Sequence, residues 1–394
     1  MMKKKTSIYL DYAAATPVDS HVFVLMKPYF SESFTNPSSL YESSKKLAET
    51  YAECKKQVAD FFHTTPDTIT YVSGGSESVN TAIMGIARSH GKHGRHIITT
   101  RIEHSAVLES VRTLETYGYD VTYLPVDEYG LVSVKDVIKA IRKDTILISI
   151  MHANNEIGSI QPIEEIGREI LKYRKKEKTI YPLFHVDACQ SVLYLESSVE
   201  KLHVDALSCN GGKIYGPKSS GILYVRRGVE LEPLIVGGGQ QDNKRSGTID
   251  MAMVVGMTEA IKLISNNSED QRIKELRDRL WNGIKRNIFS AVLNGPEIND
   301  DQRLPNNLNV SFVGAHGEAL VLYLDAQGIC VSTGSACAED SRAGSHVLEA
   351  CGYDAHRKNS AIRFTLGKHT TEKEIDTVLE VLPDIVAKVR NMNS

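Results

Sequence analysis

The sequence predicts an α/β protein with a mostly parallel sheet flanked by helices, followed by a smaller α+β domain. Two observations lead to this prediction. Strand-like and helix-like segments alternate through the middle of the chain, and such alternation is typical of a parallel sheet with helices on both faces. After about residue 260 the segments become longer and mostly helical, which indicates a second structural unit.

The elements of the large sheet follow one another in a regular order. The segment TITYVSGGSESVNTAIMGIARSH reads as a strand, a turn and a helix with Val79, Ile83 and Ile86 on one face. The run DTILISIM is nearly continuous in apolar residues, as expected for a strand buried on both sides. The other predicted strands are RHIITT, DVTYLPVD, YPLFHVD, VDALSCN and GILYVRR, and further helices are HSAVLESVRTLETYG and IEEIGREILKYRKKEK.

The C-terminal part contains a long helix, SEDQRIKELRDRLWNGIKRNI, and two strand-like runs, NNLNVSFVG and AIRFTLG. It ends in an amphipathic helix, TEKEIDTVLEVLPDIVAKVRNM, for which Thr371 is the expected N-cap. We therefore expect a large domain at residues 16–265 and a small domain at residues 266–394. The N-terminal residues 1–15 are expected to dock on the small domain.

Composition excludes several classes of protein. The 394 residues carry a formal net charge of −3, which argues against a general nucleic-acid or membrane-surface binder. We expect a cytoplasmic protein, because the sequence has neither an apolar run long enough to span a bilayer nor a signal peptide. The six cysteines form no CxxC pair, so we expect reduced thiols, no structural zinc site and no other metal site.

Polar residues at predicted strand ends carry the chemistry, because ligands bind outside the carboxyl ends of strands in open α/β sheets. The turn SGGSES (73–78) precedes a helix and is either an anion site at the helix N-terminus or a plain tight turn. Asp187 ends a strand and either pairs with a cationic ring nitrogen or caps the next helix. His104 and Asn155 follow two other strands, and each alone could be an ordinary loop residue.

Two lysines lie in the glycine-rich segment SCNGGKIYGPK. Crowding there could partly desolvate Lys213, which would lower the pKa of its amine and make it nucleophilic toward an aldehyde. Lys218 is expected to be solvated. An amine, an acid, a stacking ring and an anion-binding turn at one sheet edge are together what pyridoxal 5'-phosphate (PLP) requires.

The chain resembles the cysteine desulfurases of the IscS/NifS type, within the class V aminotransferase family of fold-type I PLP enzymes. The resemblance covers nearly the whole chain. Its motifs are YLDYAAATP, NPSSLY, SGGSES, EHSAVL, MHANNEIGSIQPI, HVDACQS, GGKIYGPKSSGILYVRR, RSGTID, STGSAC and IRFTLGKHTTEKEID. The segment in which Ser345 follows Cys337 by eight positions is similar to the longer segment of the IscS/NifS group rather than the shorter one of the SufS group.

The resemblance implies a role for each matching position. Lys213 would bond to PLP and later move protons at the substrate Cα, and Asp187 would hold the pyridine nitrogen protonated. His104 would stack on the ring. Gln190 and Asn155 would bind the ring oxygen, and Gly75, Ser76 and Asn210 would bind the phosphate. Thr248 would reach the phosphate of the other subunit in a homodimer. Arg363, Asn155 and Asn36 would bind the substrate.

Cys337, in STGSACAED, matches the nucleophile of this family. The resemblance implies that its thiolate takes the sulfur of L-cysteine as a persulfide, leaves L-alanine, and passes the sulfur to an acceptor protein. That acceptor could be an iron–sulfur scaffold or a tRNA-thiolation or cofactor-biosynthesis partner. The thiol needs a lowered pKa or a proton acceptor, and either His104 or the substrate amine could serve.

Several positions depart from the family pattern. Gly212 and Asn210 stand where His and Ser are common, which predicts weaker retention of PLP, and Cys189 replaces a common Thr. Tyr41 and Lys368 replace a His and an Arg. The remaining cysteines that we interpret, Cys54, Cys330 and Cys351, are expected to be structural.

Two alternatives remain open at this stage. A selenocysteine lyase or another class V aminotransferase would keep the cofactor and change the chemistry. A non-catalytic sulfur carrier or assembly scaffold would keep the fold alone.

Overall fold

The computed structural model describes residues 7–264, 269–334 and 344–392. Cys337, the predicted nucleophile, lies outside these ranges. The described residues form a seven-stranded sheet, a three-stranded sheet and a two-stranded sheet. The α/β fold class with a mostly parallel sheet is confirmed.

The seven-stranded sheet has the strand order β2-β8-β7-β6-β5-β3-β4. Neighbours from β4 across to β7 are parallel, whereas β8 pairs antiparallel with both β7 and β2. Within the described sheet, only β8 therefore runs against the other strands. The strands are β2 (Ile69–Val72), β3 (His96–Thr100), β4 (Asp120–Leu124), β5 (Thr145–Met151), β6 (Leu183–Asp187), β7 (Ala206–Asn210) and β8 (Gly221–Val225).

Helices cover both faces of this sheet, which explains the apolar runs in its strands. In β3, for example, Ile97 and Ile98 belong to two different hydrophobic clusters, because successive side chains point to opposite faces. The helices of this part of the chain are α1 (Ser20–Met26), α2 (Pro28–Ser31), α3 (Glu42–Phe61), α4 (Gly75–His90), α5 (Ser105–Thr116), α6 (Val134–Ala140), α7 (Ile163–Glu177), α8 (Val199–Leu202) and α9 (Met251–Ile264).

The C-terminal part has its own hydrophobic core, in which Trp281, Phe312, Phe364 and Val389 are buried together with Leu10 from the N-terminal segment. Its strands are β1 (Ile8–Tyr9), β9 (Ala291–Leu293), β10 (Asn307–Phe312), β11 (Ile329–Cys330) and β12 (Ala361–Thr365). Its helices are α10 (Asp270–Asn287), α11 (Gly317–Ala326), α12 (His346–Ala350), α13 (Ala355–Asn359) and α14 (Glu372–Met392).

The N-terminal segment pairs with strands of this C-terminal part. β1 runs parallel to β11, with Ile8 opposite Ile329, and Thr365 of β12 donates its backbone N–H to Leu10 O. Within residues 7–15, these contacts join the N-terminal segment to the C-terminal part. The boundary near residue 265 stays a prediction.

Local sequence signals explain where the last helix begins. The Thr371 hydroxyl accepts from the backbone N–H of Glu374 at 3.3 Å, and the Glu374 carboxylate accepts from the backbone N–H of Thr371 at 2.8 Å. This reciprocal pair is a capping box, so the predicted N-cap is confirmed.

Two further findings concern membranes and cysteines. None of the described helices combines the length and apolar character needed to cross a membrane. Cys54 and Cys351 are buried, whereas Cys330, in β11, is only partly buried.

Candidate active site

The predicted site residues meet in a cavity of about 290 Å³ at the carboxyl edge of the large sheet. The register of the strands brings these residues together. Met151 at the end of β5 pairs with Asp187 at the end of β6, and Asp187 pairs with Ser208 in β7. The predicted residues that line the cavity are Gly75, Ser76, His104, Asn155, Asp187, Gln190, Asn210, Lys213 and Arg363.

Cavity size does not identify this site. A larger cleft of about 810 Å³ is lined by Asp60, Glu196 and Lys262 among others, and none of the motif residues that the structure describes lines it. The smaller cavity is distinguished by its chemistry, since an amine, a carboxylate, an imidazole and a guanidinium converge there.

Lys213 ends a single turn of 3-10 helix that follows β7. Its Nζ donates to the carbonyl oxygens of Ala13 and Ala14, at 2.7 Å each. Glycine is required two residues earlier, because a Cβ on Gly211 would lie only 2.1 Å from Ser220 Oγ. The crowded turn therefore fixes the backbone position of Lys213, and two carbonyl groups of the N-terminal segment accept hydrogen bonds from its Nζ.

Asp187 is the last residue of β6 and is 6% exposed. Its Oδ1 accepts from the backbone N–H of Cys189 at 2.9 Å. This bond closes a turn rather than capping a helix, because the next helix begins only at Val199, so the helix-cap interpretation is wrong. The carboxylate lines the cavity. Gln190, one turn further on, donates its side-chain amide to Ala13 O at 3.0 Å.

His104 is the N-cap of α5, and its Nδ1 accepts from the backbone N–H of Ala106 at 3.1 Å. Burial lowers the pKa of His104, and the nearby Asp187 opposes that effect. A neutral ring with Nδ1 as acceptor carries its proton on Nε2. His104 therefore offers the cavity an uncharged aromatic face and one N–H donor.

Glu103, beside His104, was missed by the sequence analysis. It is fully buried, and its Oε1 accepts from Thr100 Oγ at 2.7 Å and from the backbone N–H of Met151 at 3.0 Å. Burial raises the pKa of Glu103 to about 8. These bonds tie the end of β3 to the end of β5, so Glu103 supports the loop that carries His104.

The SGGSES turn forms one end of the cavity. Gly74 has φ +144°, and Gly75 and Ser76 begin the 16-residue helix α4. A Cβ on Gly75 would lie 2.8 Å from Cys189 Sγ and 3.3 Å from Asn210 Nδ2. The helix N-terminus, with its free N–H groups and positive dipole end, therefore faces a thiol and an amide.

The charges at this end suit an anion. Asn210 Oδ1 accepts from the backbone N–H of Gly212 at 3.1 Å, which leaves the Nδ2 donor on the side of Gly75. Burial raises the pKa of the Cys189 thiol well above its ordinary value, so the sulfur carries no negative charge that would repel a phosphate. Asn210 thus supplies a hydrogen-bond donor at this end of the cavity, although the sequence predicted that an Asn at this position would weaken the retention of PLP.

Arg363, on β12, forms the opposite end of the cavity, and its side chain is 5% exposed. Nη1 donates to the Asn155 carbonyl at 2.9 Å, and Nη2 donates to Asp11 Oδ1 at 2.6 Å. Its Nε is buried and has no hydrogen-bond partner among the described residues. Arg363 lines the cavity, and Nη1 and Nη2 each keep a second N–H, so the guanidinium is suited to a carboxylate ligand.

Three predicted residues are not brought to the cavity by the described part of the chain. Asn36 Oδ1 accepts from the backbone N–H of Ser38, and the exposed Thr248 lies elsewhere on the surface. Cys337 lies outside the described residues. However, Gly334 lines the cavity, and Cys337 is only three positions further along the chain, a span of at most about 11 Å.

Residues on both sides of the Cys337 segment contact one buried carboxylate. Ser345 Oγ donates to Glu156 Oε2 at 2.5 Å, and a Cβ on Gly334 would lie 3.0 Å from the same oxygen. Glu156 and the N-terminal residues Asp11, Ala13 and Ala14 received no role from the sequence. Their motifs, NNEIG and YLDYAAATP, were the available signal.

The residues present fit PLP. Lys213 can bond its aldehyde, the Asp187 carboxylate can pair with its ring nitrogen, and the N-terminus of α4 can accept its phosphate. The described residues contain no group of three or more His, Cys, Asp or Glu side chains that could hold a metal ion.

Comparison with known proteins agrees with this chemistry. Residues 8–378 match the family model described as aminotransferase class-V. Cysteine desulfurase IscS of Dictyoglomus turgidum is 45% identical over 391 residues, which cover 99% of this chain and 97% of that protein. Cysteine desulfurase IscS of Methanosarcina thermophila is 46% identical over 389 residues, covering 98% and 94%.

Solved structures give the same result for the fold. A NifS-like protein superposes with a TM-score of 0.89 and 36% identity, covering 97% of this chain and all of the other. A structure described as SspA in complex with cysteine superposes with a TM-score of 0.80 and 35% identity, covering 93% of this chain and 100% of the other.

Proposed function

This chain belongs to the aminotransferase class-V family, and we propose that it is a PLP-dependent cysteine desulfurase that converts L-cysteine to L-alanine. One observation carries the proposal. A single cavity holds the Lys213 amine, the buried Asp187 carboxylate and the buried Arg363 guanidinium, and full-length relatives with 45% and 46% identity are named cysteine desulfurase IscS.

The chain supplies a partner for each part of the cofactor. Lys213 Nζ holds its aldehyde carbon, and Asp187 keeps its ring nitrogen protonated. His104 packs against the ring, and Gln190 and Asn155 bind the ring oxygen. The phosphate is held by Gly75, Ser76 and Asn210. When bound, PLP withdraws electrons from the Cα of the attached amino acid.

The remaining residues act on the substrate. Arg363 binds the α-carboxylate through its guanidinium, with the Asn155 carbonyl holding Nη1 in place, and Asn36 would assist from the NPSS segment. Lys213 Nζ is the group that would take the proton from the substrate Cα. The Ala13 and Ala14 carbonyls accept from Nζ and would hold the amine in position for that proton transfer.

Sulfur transfer is assigned to Cys337. Its thiolate attacks the substrate sulfur, so that an S–S bond forms and the Cβ–S bond breaks with its electron pair retained by Cβ. Protonation at carbon then gives L-alanine, and the sulfur stays on Cys337 as a persulfide. The short distance along the chain from Gly334 at the cavity wall supports this assignment.

Further partners follow from the same proposal. A homodimer is supported by exposed apolar side chains in and after the first two helices, namely Phe23, Phe30, Phe34 and Leu40, and the exposed Thr248 would serve the cofactor bound in the second protomer. The persulfide would pass to a sulfur-acceptor protein, for iron–sulfur cluster assembly or for tRNA or cofactor thiolation. The cytoplasmic location stays a prediction from the sequence.

Product analysis tests the proposed activity. Holoenzyme supplied with L-cysteine and a thiol reductant should release L-alanine and sulfide in equal amounts, and Lys213→Ala should release neither. A keto acid as the main product would contradict the proposal and favour an aminotransferase, whereas activity confined to L-selenocysteine would favour a selenocysteine lyase. A purified protein that does not bind PLP would favour the non-catalytic scaffold.

A further inference from the structure

Asp11 is the only acidic side chain that the described residues place in an ion pair with Arg363. It lies just after β1, in the N-terminal segment, 352 positions away from its partner in the sequence. Oδ1 of Asp11 accepts from Arg363 Nη2 at 2.6 Å, and the two side chains are 18% and 5% exposed. The pair is therefore largely desolvated, unlike the surface ion pairs of this protein.

The pair restricts the guanidinium to one orientation. With Nη2 held by Asp11 and Nη1 held by the Asn155 carbonyl, the planar group cannot rotate without breaking a charge-assisted bond in a buried setting. Arg363 lines the cavity, and Nη1 and Nη2 each keep a second N–H. Asp11 thus determines how the guanidinium is oriented toward a ligand in the cavity.

The backbone around Asp11 is itself fixed. The Tyr9 hydroxyl donates to Asp11 O and to Ala15 O at 2.9 Å each, and the backbone N–H of Ala13 donates to Thr365 Oγ at 2.9 Å. Thr365 lies on the same strand as Arg363, two residues further along. The hydrogen bond between Ala13 and Thr365 therefore fixes the position of Asp11 relative to Arg363 on strand β12.

We propose that Asp11 is a positioning residue that orients Arg363 for the substrate α-carboxylate. This inference rests on the proposed function, because it assigns Arg363 to an amino acid substrate. Asp11 does not touch the substrate in this account. It acts through the guanidinium by holding Nη2, so its effect is confined to ligands that carry a carboxylate.

The alternative is that the ion pair only fastens the N-terminal segment to the C-terminal part. A second ion pair in the structure offers a matched control, because Asp19 accepts from Lys368 Nζ and also joins residues early and late in the chain. Asp19→Asn removes that charge pair without touching Arg363. A purely structural role predicts similar consequences for Asp11→Asn and Asp19→Asn.

The test is an equilibrium titration of PLP-loaded protein, followed by the visible absorbance of the cofactor. Two ligands are compared: L-alanine, which has an α-carboxylate, and cysteamine, an aminothiol that lacks one. We expect Asp11→Asn to weaken L-alanine binding by about tenfold, as loss of one buried charge-assisted bond implies. Cysteamine binding should change by less than about twofold, and Asp11→Glu should recover part of the L-alanine affinity.

A double-mutant cycle completes the design. In an Arg363→Ala background, Asp11→Asn should have no further effect on L-alanine binding, because the group that it orients is gone. The proposal is overturned if L-alanine affinity is unchanged or tighter in Asp11→Asn, if cysteamine weakens equally, if the effect persists without Arg363, or if Asp19→Asn has the same effect. Failure of the wild-type protein to desulfurate L-cysteine would instead contradict the proposed function, since ligand titration does not depend on turnover.

Discussion

The two ends of the cavity would each hold an anion, but they are built differently. The carboxylate end, formed by Arg363, Asp11 and Asn155, uses a buried cation held by a buried acid and a backbone carbonyl. The phosphate end, formed by Gly75, Ser76, Asn210 and Cys189, uses a helix N-terminus and neutral side chains. One end depends on formal charge and the other on backbone geometry.

The difference reflects how each end is assembled. Gly75 and Ser76 follow β2 directly in the chain, so a single strand–turn–helix unit delivers most of the phosphate end. The carboxylate end brings together Asp11, Asn155 and Arg363, which are distant in sequence. It forms only when the N-terminal segment, the large sheet and β12 are all in place, and it should therefore be more sensitive to side-chain chemistry.

The largest effect should come from Arg363→Lys. An ammonium keeps the positive charge but cannot bond the Asn155 carbonyl, Asp11 and a carboxylate in one fixed plane. We expect kcat/KM for L-cysteine to fall about a hundredfold, with PLP affinity unchanged within about twofold. Steady-state kinetics and a PLP titration check these values. Equal losses in both measurements would show that the two ends are not independent.

A smaller effect, confined to PLP, should come from Gly75→Ala. The new Cβ would lie 2.8 Å from Cys189 Sγ, so the thiol and the helix N-terminus must move apart. We expect PLP affinity of the apo-protein to fall about tenfold, measured by titration with PLP, while Arg363-dependent binding of L-alanine at saturating PLP stays as in wild type.

Two variants sharpen the result for Gly75. Gly212→Ala is the matched control, because its Cβ would meet nothing closer than 3.5 Å, and it should bind PLP as wild type does. Cys189→Ala combined with Gly75→Ala should recover part of the lost affinity by removing the clashing sulfur. Wild-type affinity in Gly75→Ala would contradict the geometry described for the phosphate end.

The same contrast explains what the sequence could predict. The parallel sheet, its strands and the turn at Gly75 were predicted because apolar periodicity and glycine position are local signals. Asp187, His104 and Lys213 were found because each lies at or soon after the end of a strand, and strand ends meet at one edge. The family resemblance added their roles.

The contacts that the sequence did not predict are long-range. Nothing local indicates that Asp11 pairs with Arg363, or that the Ala13 and Ala14 carbonyls accept from Lys213, because these contacts depend on how the N-terminal segment docks. The direction of the Asn210 amide was also unpredictable, since it is set by a bond to the backbone N–H of Gly212.

The central claim is that sulfur leaves L-cysteine for the thiol of Cys337, and one measurement tests it most directly. Holoenzyme is incubated with L-cysteine without reductant, alkylated and digested, and each cysteine peptide is weighed by mass spectrometry. We predict one additional sulfur on the Cys337 peptide, and none in Cys337→Ala, which should keep its cofactor absorbance. Additional sulfur on another cysteine instead, or wild-type turnover by Cys337→Ala, would contradict the account.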